Sequence, residues 1–130
     1  MPRHVARLVA GLVLVLGLLA MVGATARAAG SAVVVLRATG IVDNVMAGYL
    51  AEGIARSERQ GAAAVVIELD TPGGSLEAMQ AIVGSLLGAR IPTIVWVSPA
   101  GGRAASAGTF ITLAAHLAYM APGTSIGAAS

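Results

Sequence analysis

Cysteine and lysine are both missing from this chain of 130 residues, and all 8 of its basic residues are arginine. The lack of cysteine excludes disulfides, thiolate catalysis and thiolate-ligated zinc. The lack of lysine removes a whole class of catalytic base, the neutral amine. Charge is scarce as well, at 11% of residues against 57% hydrophobic, with a mean hydropathy of +0.86. A chain this apolar is not disordered; it belongs to a membrane protein or to a buried-sheet domain carrying a membrane segment. The net charge of +2 does not indicate nucleic acid, because Arg3, Arg7 and Arg27 flank the N-terminal apolar run. The five arginines left face six acids, so no basic face remains. The length admits one domain.

Residues 1–29 have the pattern of a targeting segment. Arg3, His4 and Arg7 make a basic start, Leu8 to Val22 is an uncharged apolar run of 15 residues, and Ala26-Arg27-Ala28 offers a small-x-small cleavage site. The run is short for a spanning helix, which needs about 20 residues. A cleaved signal peptide is the first reading and an uncleaved signal anchor the second. Either keeps the basic start in the cytoplasm and carries residues 30–130 across the membrane.

The remaining hundred residues alternate between β-branched runs and helical spacing. Strands are expected at Val33–Leu36, Ala64–Leu69 and Thr93–Val97, and a fourth apolar run at Leu117–Ala121. Helices are expected from Asn44 to Gln60, capped by Asp43 and ended by Gly61, from Ser75 to Leu87, and from about Ser106 to His116. Met46 and Met79 follow helical spacing and serve the core, while Trp96 belongs to the core or to an interface. Such alternation implies an α/β fold with a mostly parallel sheet covered by helices. In these folds the working groups gather where strands end and helices begin.

Two segments meet that condition. Asp70-Thr71-Pro72-Gly73-Gly74-Ser75 bends at a strand end, and its glycines allow successive N–H groups to converge on an anion. It also has the composition of an ordinary turn. Asp70 is better suited to bonding the turn than to catalysis. In Gly101-Gly102-Arg103-Ala104-Ala105-Ser106-Ala107-Gly108-Thr109, a serine among small residues opens a helix. Its hydroxyl is either uncrowded at the positive end of a helix dipole or simply an N-cap. Arg103 beside it is either a substrate contact or a solvated loop residue.

A serine nucleophile requires a base within about 3 Å. His4 lies in the targeting segment, and His116 follows Ser106 by ten residues, roughly 15 Å along a continuous helix. Neither a Ser-His-Asp triad nor a Ser-Lys dyad can be assembled from this chain. Either Ser106 is not a nucleophile or its base lies beyond residue 130.

Asp70-Thr71-Pro72-Gly73-Gly74, followed by Ala105-Ser106-Ala107-Gly108-Thr109-Phe110-Ile111, closely resembles the NfeD family of membrane-bound proteases. That family belongs to the ClpP/crotonase fold, alongside signal peptide peptidase A. Gly40-Ile41-Val42-Asp43 and Met120-Ala121-Pro122-Gly123-Thr124-Ser125-Ile126-Gly127-Ala128 share the likeness, which covers essentially everything after the targeting segment. The resemblance implies repeated β-β-α and βαβ units around a mostly parallel sheet, with residues 30–130 an incomplete ClpP-like domain.

It also implies that Ser106 is the nucleophile, that Gly73 and Gly74 supply oxyanion amides, and that the base is a lysine beyond residue 130. Neither metal nor cofactor is implied. The implied substrate is a hydrophobic peptide segment, and a stomatin-like membrane protein is an implied partner. The protein is expected at the membrane with its catalytic domain on the extracytoplasmic side, as a homo-oligomer. The 130 residues alone are expected to be inactive and marginally folded, with sheet edge exposed. Two other functions compete: a non-catalytic scaffold for a stomatin-like partner, and a crotonase-like acyl-CoA enzyme, which an export signal disfavours.

Overall fold

The computed structural model describes residues 32–129 and, before them, Val5, Val13 and Leu14. The expected targeting segment, residues 1–29, lies outside the described residues apart from those three. From Val33 onward the elements are β1 (Val33–Thr39), α1 (Asn44–Arg59), β2 (Ala64–Asp70), α2 (Leu76–Leu87), β3 (Thr93–Val97), β4 (Arg103–Ala105), α3 (Ala107–Ala114), β5 (Leu117–Met120) and β6 (Ser125–Gly127). They belong to one compact unit, Ser31–Ser130. Among the described residues no helix is long and apolar enough to cross a membrane.

Four strands form a parallel sheet in the order β1-β2-β3-β5, with Leu36, Ile67, Val95 and Ala118 side by side in register. Every crossover advances in the same direction across the sheet. Right-handed crossovers that never reverse put their helices on the same face. Accordingly Leu36, Ala38, Val65, Ile67, Leu69, Val95 and Val97 form one buried core with Met46, Leu50 and Ile54 of α1, Met79, Ile82 and Leu86 of α2, and Ile111 of α3. Leu50, Ile67, Leu69, Ile82 and Leu86 are fully buried, each worth about 1.5–3 kcal/mol of transfer free energy. On the opposite face Val35, Trp96 and Tyr119 are exposed. Trp96 is therefore outside the core, whereas Met46 and Met79 are inside it, as their spacing indicates.

The caps follow the sequence. Asp43 Oδ1 accepts from the Met46 N–H at 2.8 Å, and Ser75 Oγ accepts from the Ala78 N–H at 3.0 Å. Two expectations need correction. The third helix ends at Ala114 rather than His116, because Ala115 is extended (ψ 157°) to bring the chain alongside β3. And the segment from Gly101 to Ser106, for which no strand is expected, is not all loop: Arg103–Ala105 pairs in parallel with Ser125–Gly127 as a second, two-stranded sheet. Neither stretch has the β-branched density that marks a strand in sequence.

Glu58 fastens the end of α1 to the approach to β3. Its Oε1 accepts from the Arg90 backbone N–H at 2.6 Å and its Oε2 from Arg90 Nη2 at 3.1 Å. The backbone N–H foremost, with the guanidinium adding to it and partial burial opposing it, holds the Glu58 carboxyl below its ordinary value. A carboxyl lowered in the folded state stabilises the fold at pH above its unfolded value, and this contribution disappears as pH falls through the lowered value. Thermal unfolding followed across the acid range should therefore show a shallower loss of Tm for Glu58→Gln than for the unsubstituted protein.

Candidate active site

The loop after β2 is stitched to its neighbours on both sides. Toward β4, the Thr71 N–H donates to the Arg103 carbonyl at 2.7 Å and the Ala105 N–H to the Thr71 carbonyl at 3.0 Å. Toward the β1–α1 connection, the Val42 N–H donates to the Gly73 carbonyl at 2.9 Å and the Ser75 N–H to the Val42 carbonyl at 2.8 Å. Asp70 Oδ1 accepts from the Arg103 N–H at 3.0 Å, so this carboxylate links the two segments singled out in sequence rather than capping its own turn.

Those segments meet. Gly73 is buried with φ +106°, a conformation open to glycine, and a Cβ placed on it would lie 2.8 Å from Ser106 Cβ and 3.4 Å from Ser106 Oγ. Gly74 is exposed, and among the described residues no hydrogen bond engages its amide, whereas the Gly73 amide donates to Thr71 Oγ1 at 3.0 Å. Gly108 lets the start of α3 approach this loop: a Cβ there would stand 2.6 Å from Thr71 Cγ2.

Ser106 is half-buried at the junction of β4 and α3 with φ 52° and ψ −113°, outside the conformations ordinary residues adopt. Such a backbone costs about 1–3 kcal/mol and survives only where its surroundings enforce it. Ser106 occupies the N-cap position, yet its side chain makes no capping hydrogen bond. The N-cap reading of this serine therefore fails, and its hydroxyl is left beside Gly73. Its N–H donates to the Gly127 carbonyl at 2.7 Å.

Sequence reasoning passed over Ala107, the first residue of α3, which is buried and whose amide is likewise unengaged among the described residues. Helix geometry is what reveals it, since the first N–H groups of a helix have no partner within it. Thr109 and Gly127 stand out in sequence only within the family motifs, because the bonds that join them to each other span 18 residues.

Arg103 is exposed, and its side chain lines a groove with Thr39, Gly40, Asp70, Pro72 and Pro99 that does not include Ser106. His116 belongs elsewhere. Its Nδ1 accepts from the Thr93 N–H at 3.2 Å and lies 2.9 Å from Thr93 Oγ1, at the start of β3, whereas the site lies beyond strand ends. Among the described residues no three His, Asp or Glu side chains gather as metal ligands would.

A one-directional parallel sheet, a small second sheet and a serine at a strained strand-to-helix bend define a ClpP-like α/β domain. ClpP1 of Listeria monocytogenes shares that fold at a TM-score of 0.58 and 23% identity, over 62% of this chain and 46% of that one. More specifically, residues 32–130 match the N-terminal domain of NfeD1b, and the chain belongs to that family.

The membrane-bound protease PH1510 of Pyrococcus horikoshii is 56% identical over 72 residues, covering 55% of this chain and 16% of the relative. The 1510-N membrane-bound stomatin-specific protease, solved as a serine-to-alanine mutant, superposes with a TM-score of 0.75 at 44% identity, over 78% of this chain and 49% of that chain. A lysine-to-alanine mutant of the same protease, solved in complex with a substrate peptide, gives the same score over 46% of its length. The chain thus spans about half the length of the solved relatives and far less of the curated one.

Proposed function

We propose that the full-length protein is a membrane-associated serine endopeptidase that cleaves hydrophobic peptide segments, with Ser106 as nucleophile. The observation that carries this reading is the strained backbone of Ser106 holding an uncapped hydroxyl against Gly73. Stored strain of this kind collects at working sites. The family membership and the relatives described as membrane-bound proteases support it.

In this reading Ser106 Oγ attacks a peptide carbonyl carbon. Its proton passes to a neutral lysine supplied beyond residue 130 and then to the leaving amine, and water releases the acyl group by the reverse sequence. The negative charge on the carbonyl oxygen is met by the backbone amides of Gly74 and Ala107, reinforced by the dipole of α3; the Gly73 amide is engaged by Thr71 Oγ1 at 3.0 Å. Removing one such donor typically costs about 2.7–4 kcal/mol of barrier. The lysine must be uncharged to accept a proton, which an apolar surrounding promotes by lowering its pKa.

Residues 1–29 act as the export signal or anchor, residues 30–130 as part of the protease domain on the extracytoplasmic side, and a stomatin-like membrane protein as partner. The protein assembles as a homo-oligomer. Arg103 contacts substrate only at a distance from the scissile bond. Treating the full-length protein with a serine-reactive phosphonate and mapping the adduct by mass spectrometry tests the proposal. A single adduct on Ser106 is expected; an adduct at another serine, or none, overturns it.

A further inference from the structure

The backbone of Ser106 is enclosed by a short cycle of hydrogen bonds that passes through one side chain. The Ser106 N–H donates to the Gly127 carbonyl at 2.7 Å. The Gly127 N–H donates to Thr109 Oγ1 at 3.0 Å. The Thr109 N–H donates to the Ser106 carbonyl at 2.9 Å. The single proton of the Thr109 hydroxyl is directed at two carbonyls, that same Gly127 carbonyl at 2.9 Å and that of Ala104 at 3.1 Å. One hydroxyl thereby joins the strand entering the bend (β4), the helix leaving it (α3) and the strand beside it (β6).

The main chain alone holds β6 weakly, since its ladder with β4 runs over only three residues and Ser125 and Ile126 are exposed. Gly127, at φ +138°, also has a wide choice of other conformations if released. A left-handed serine next to a loosely held glycine would relax toward an ordinary φ. That rotation would swing Oγ away from Gly73.

We propose that Thr109 is a positioning residue that locks Ser106 in its left-handed conformation by fixing Gly127 through its side-chain hydroxyl. This rests on the reading of Ser106 as nucleophile. Thr109 touches neither substrate nor the reacting atoms; its effect is on the fraction of molecules whose hydroxyl is aimed. Misplacement of a reacting group by about 1 Å costs roughly a hundredfold in rate.

The test compares Thr109→Val, which keeps the shape and loses the hydroxyl, with Thr109→Ser, which keeps the hydroxyl, both in the full-length protein. Three quantities are measured: the rate constant for phosphonate labelling at Ser106, kcat and KM on a hydrophobic peptide, and the folded fraction by circular dichroism. Thr109→Val is expected to lower labelling and kcat about ten- to a hundredfold with KM nearly unchanged, and Thr109→Ser to restore both to within about threefold of the unsubstituted protein. Should Thr109→Val fail to fold, Thr109→Ala, which suits a helix better, takes its place. Labelling at the unsubstituted rate in a folded protein without the hydroxyl overturns the proposal, as does an equal loss in Thr109→Ser. Absence of labelling in the unsubstituted protein instead removes the nucleophile reading, and this inference falls with it.

Discussion

Ser106→Gly should give a protein that is inactive yet more stable than Ser106→Ala. Both substitutions remove the attacking oxygen, and loss of a serine nucleophile typically costs roughly a millionfold in kcat. They differ in what they do to the backbone. Alanine keeps the Cβ that makes φ 52°, ψ −113° unfavourable, while glycine has no such atom. Relief of that strain is worth about 1–3 kcal/mol, less up to about 1 kcal/mol for the greater freedom of glycine in the unfolded chain.

A net gain of about 1 kcal/mol raises Tm by roughly 4–8 °C in a domain of this size, which calorimetry of the two variants resolves. The comparison separates strain from chemistry, because neither variant retains activity. Equal Tm values for the two would mean that Ser106 is not held under strain, and the case for a preorganised nucleophile would lose its main support.

The fold was legible in sequence where hydrophobic pattern alone decides it. Val65, Ile67 and Leu69 read as a buried strand and are one, and Asp43 and Ser75 read as the helix starts that they cap. β1 runs three residues past its apolar stretch, because Arg37, Ala38 and Thr39 pair with Glu68, Leu69 and Asp70. That pairing is a tertiary fact with no local signal. The same holds for β4 and β6, whose sequences Arg-Ala-Ala and Ser-Ile-Gly carry little strand propensity and become strands only through each other.

The candidate site divides along the same line. The nearness of Ser106 to Gly73 follows from two loops at the same end of a parallel sheet, which topology foretells. The positive φ of Ser106 does not follow from its sequence neighbours, since an Ala-Ser-Ala stretch favours no left-handed bend. It is imposed by Gly127, twenty-one positions along the chain. The unreactive position of His116 could be argued from distance along a helix, although the helix proved shorter than expected. Its actual engagement with Thr93 comes from strand register.

Gly74→Ala is expected to damage the fold more than any other single-methyl substitution in the two loops. A Cβ on Gly74 would lie 2.1 Å from the Val42 carbonyl oxygen, 2.6 Å from its nitrogen and 2.7 Å from its carbonyl carbon. These are backbone atoms, so no rotamer change can make room. Val42 itself has no exposed surface, and its N–H and carbonyl are bonded to the Gly73 carbonyl and the Ser75 N–H.

To admit the methyl, the chain must part from Val42. That gives up about 1.5–3 kcal/mol of buried side chain and leaves two polar groups short of partners at about 1–3 kcal/mol each. Complete parting would cost roughly 3.5–9 kcal/mol, a large share of the about 5–15 kcal/mol that holds a domain together. Gly73→Ala meets a side chain instead, Ser106 Cβ at 2.8 Å, along with the Ala105 carbonyl oxygen at 3.1 Å. It also forces alanine into φ +106°, at about 1–3 kcal/mol, so Gly73→Ala should lose labelling of Ser106 while keeping more stability than Gly74→Ala. Urea unfolding midpoints should therefore lie lower for Gly74→Ala than for Gly73→Ala, and phosphonate labelling of Ser106 should be lost in Gly73→Ala despite its higher midpoint. A Gly74→Ala protein as stable as the unsubstituted one would show that the loop does not lean on Val42, and the placement of Gly73 against Ser106 would have to come from elsewhere.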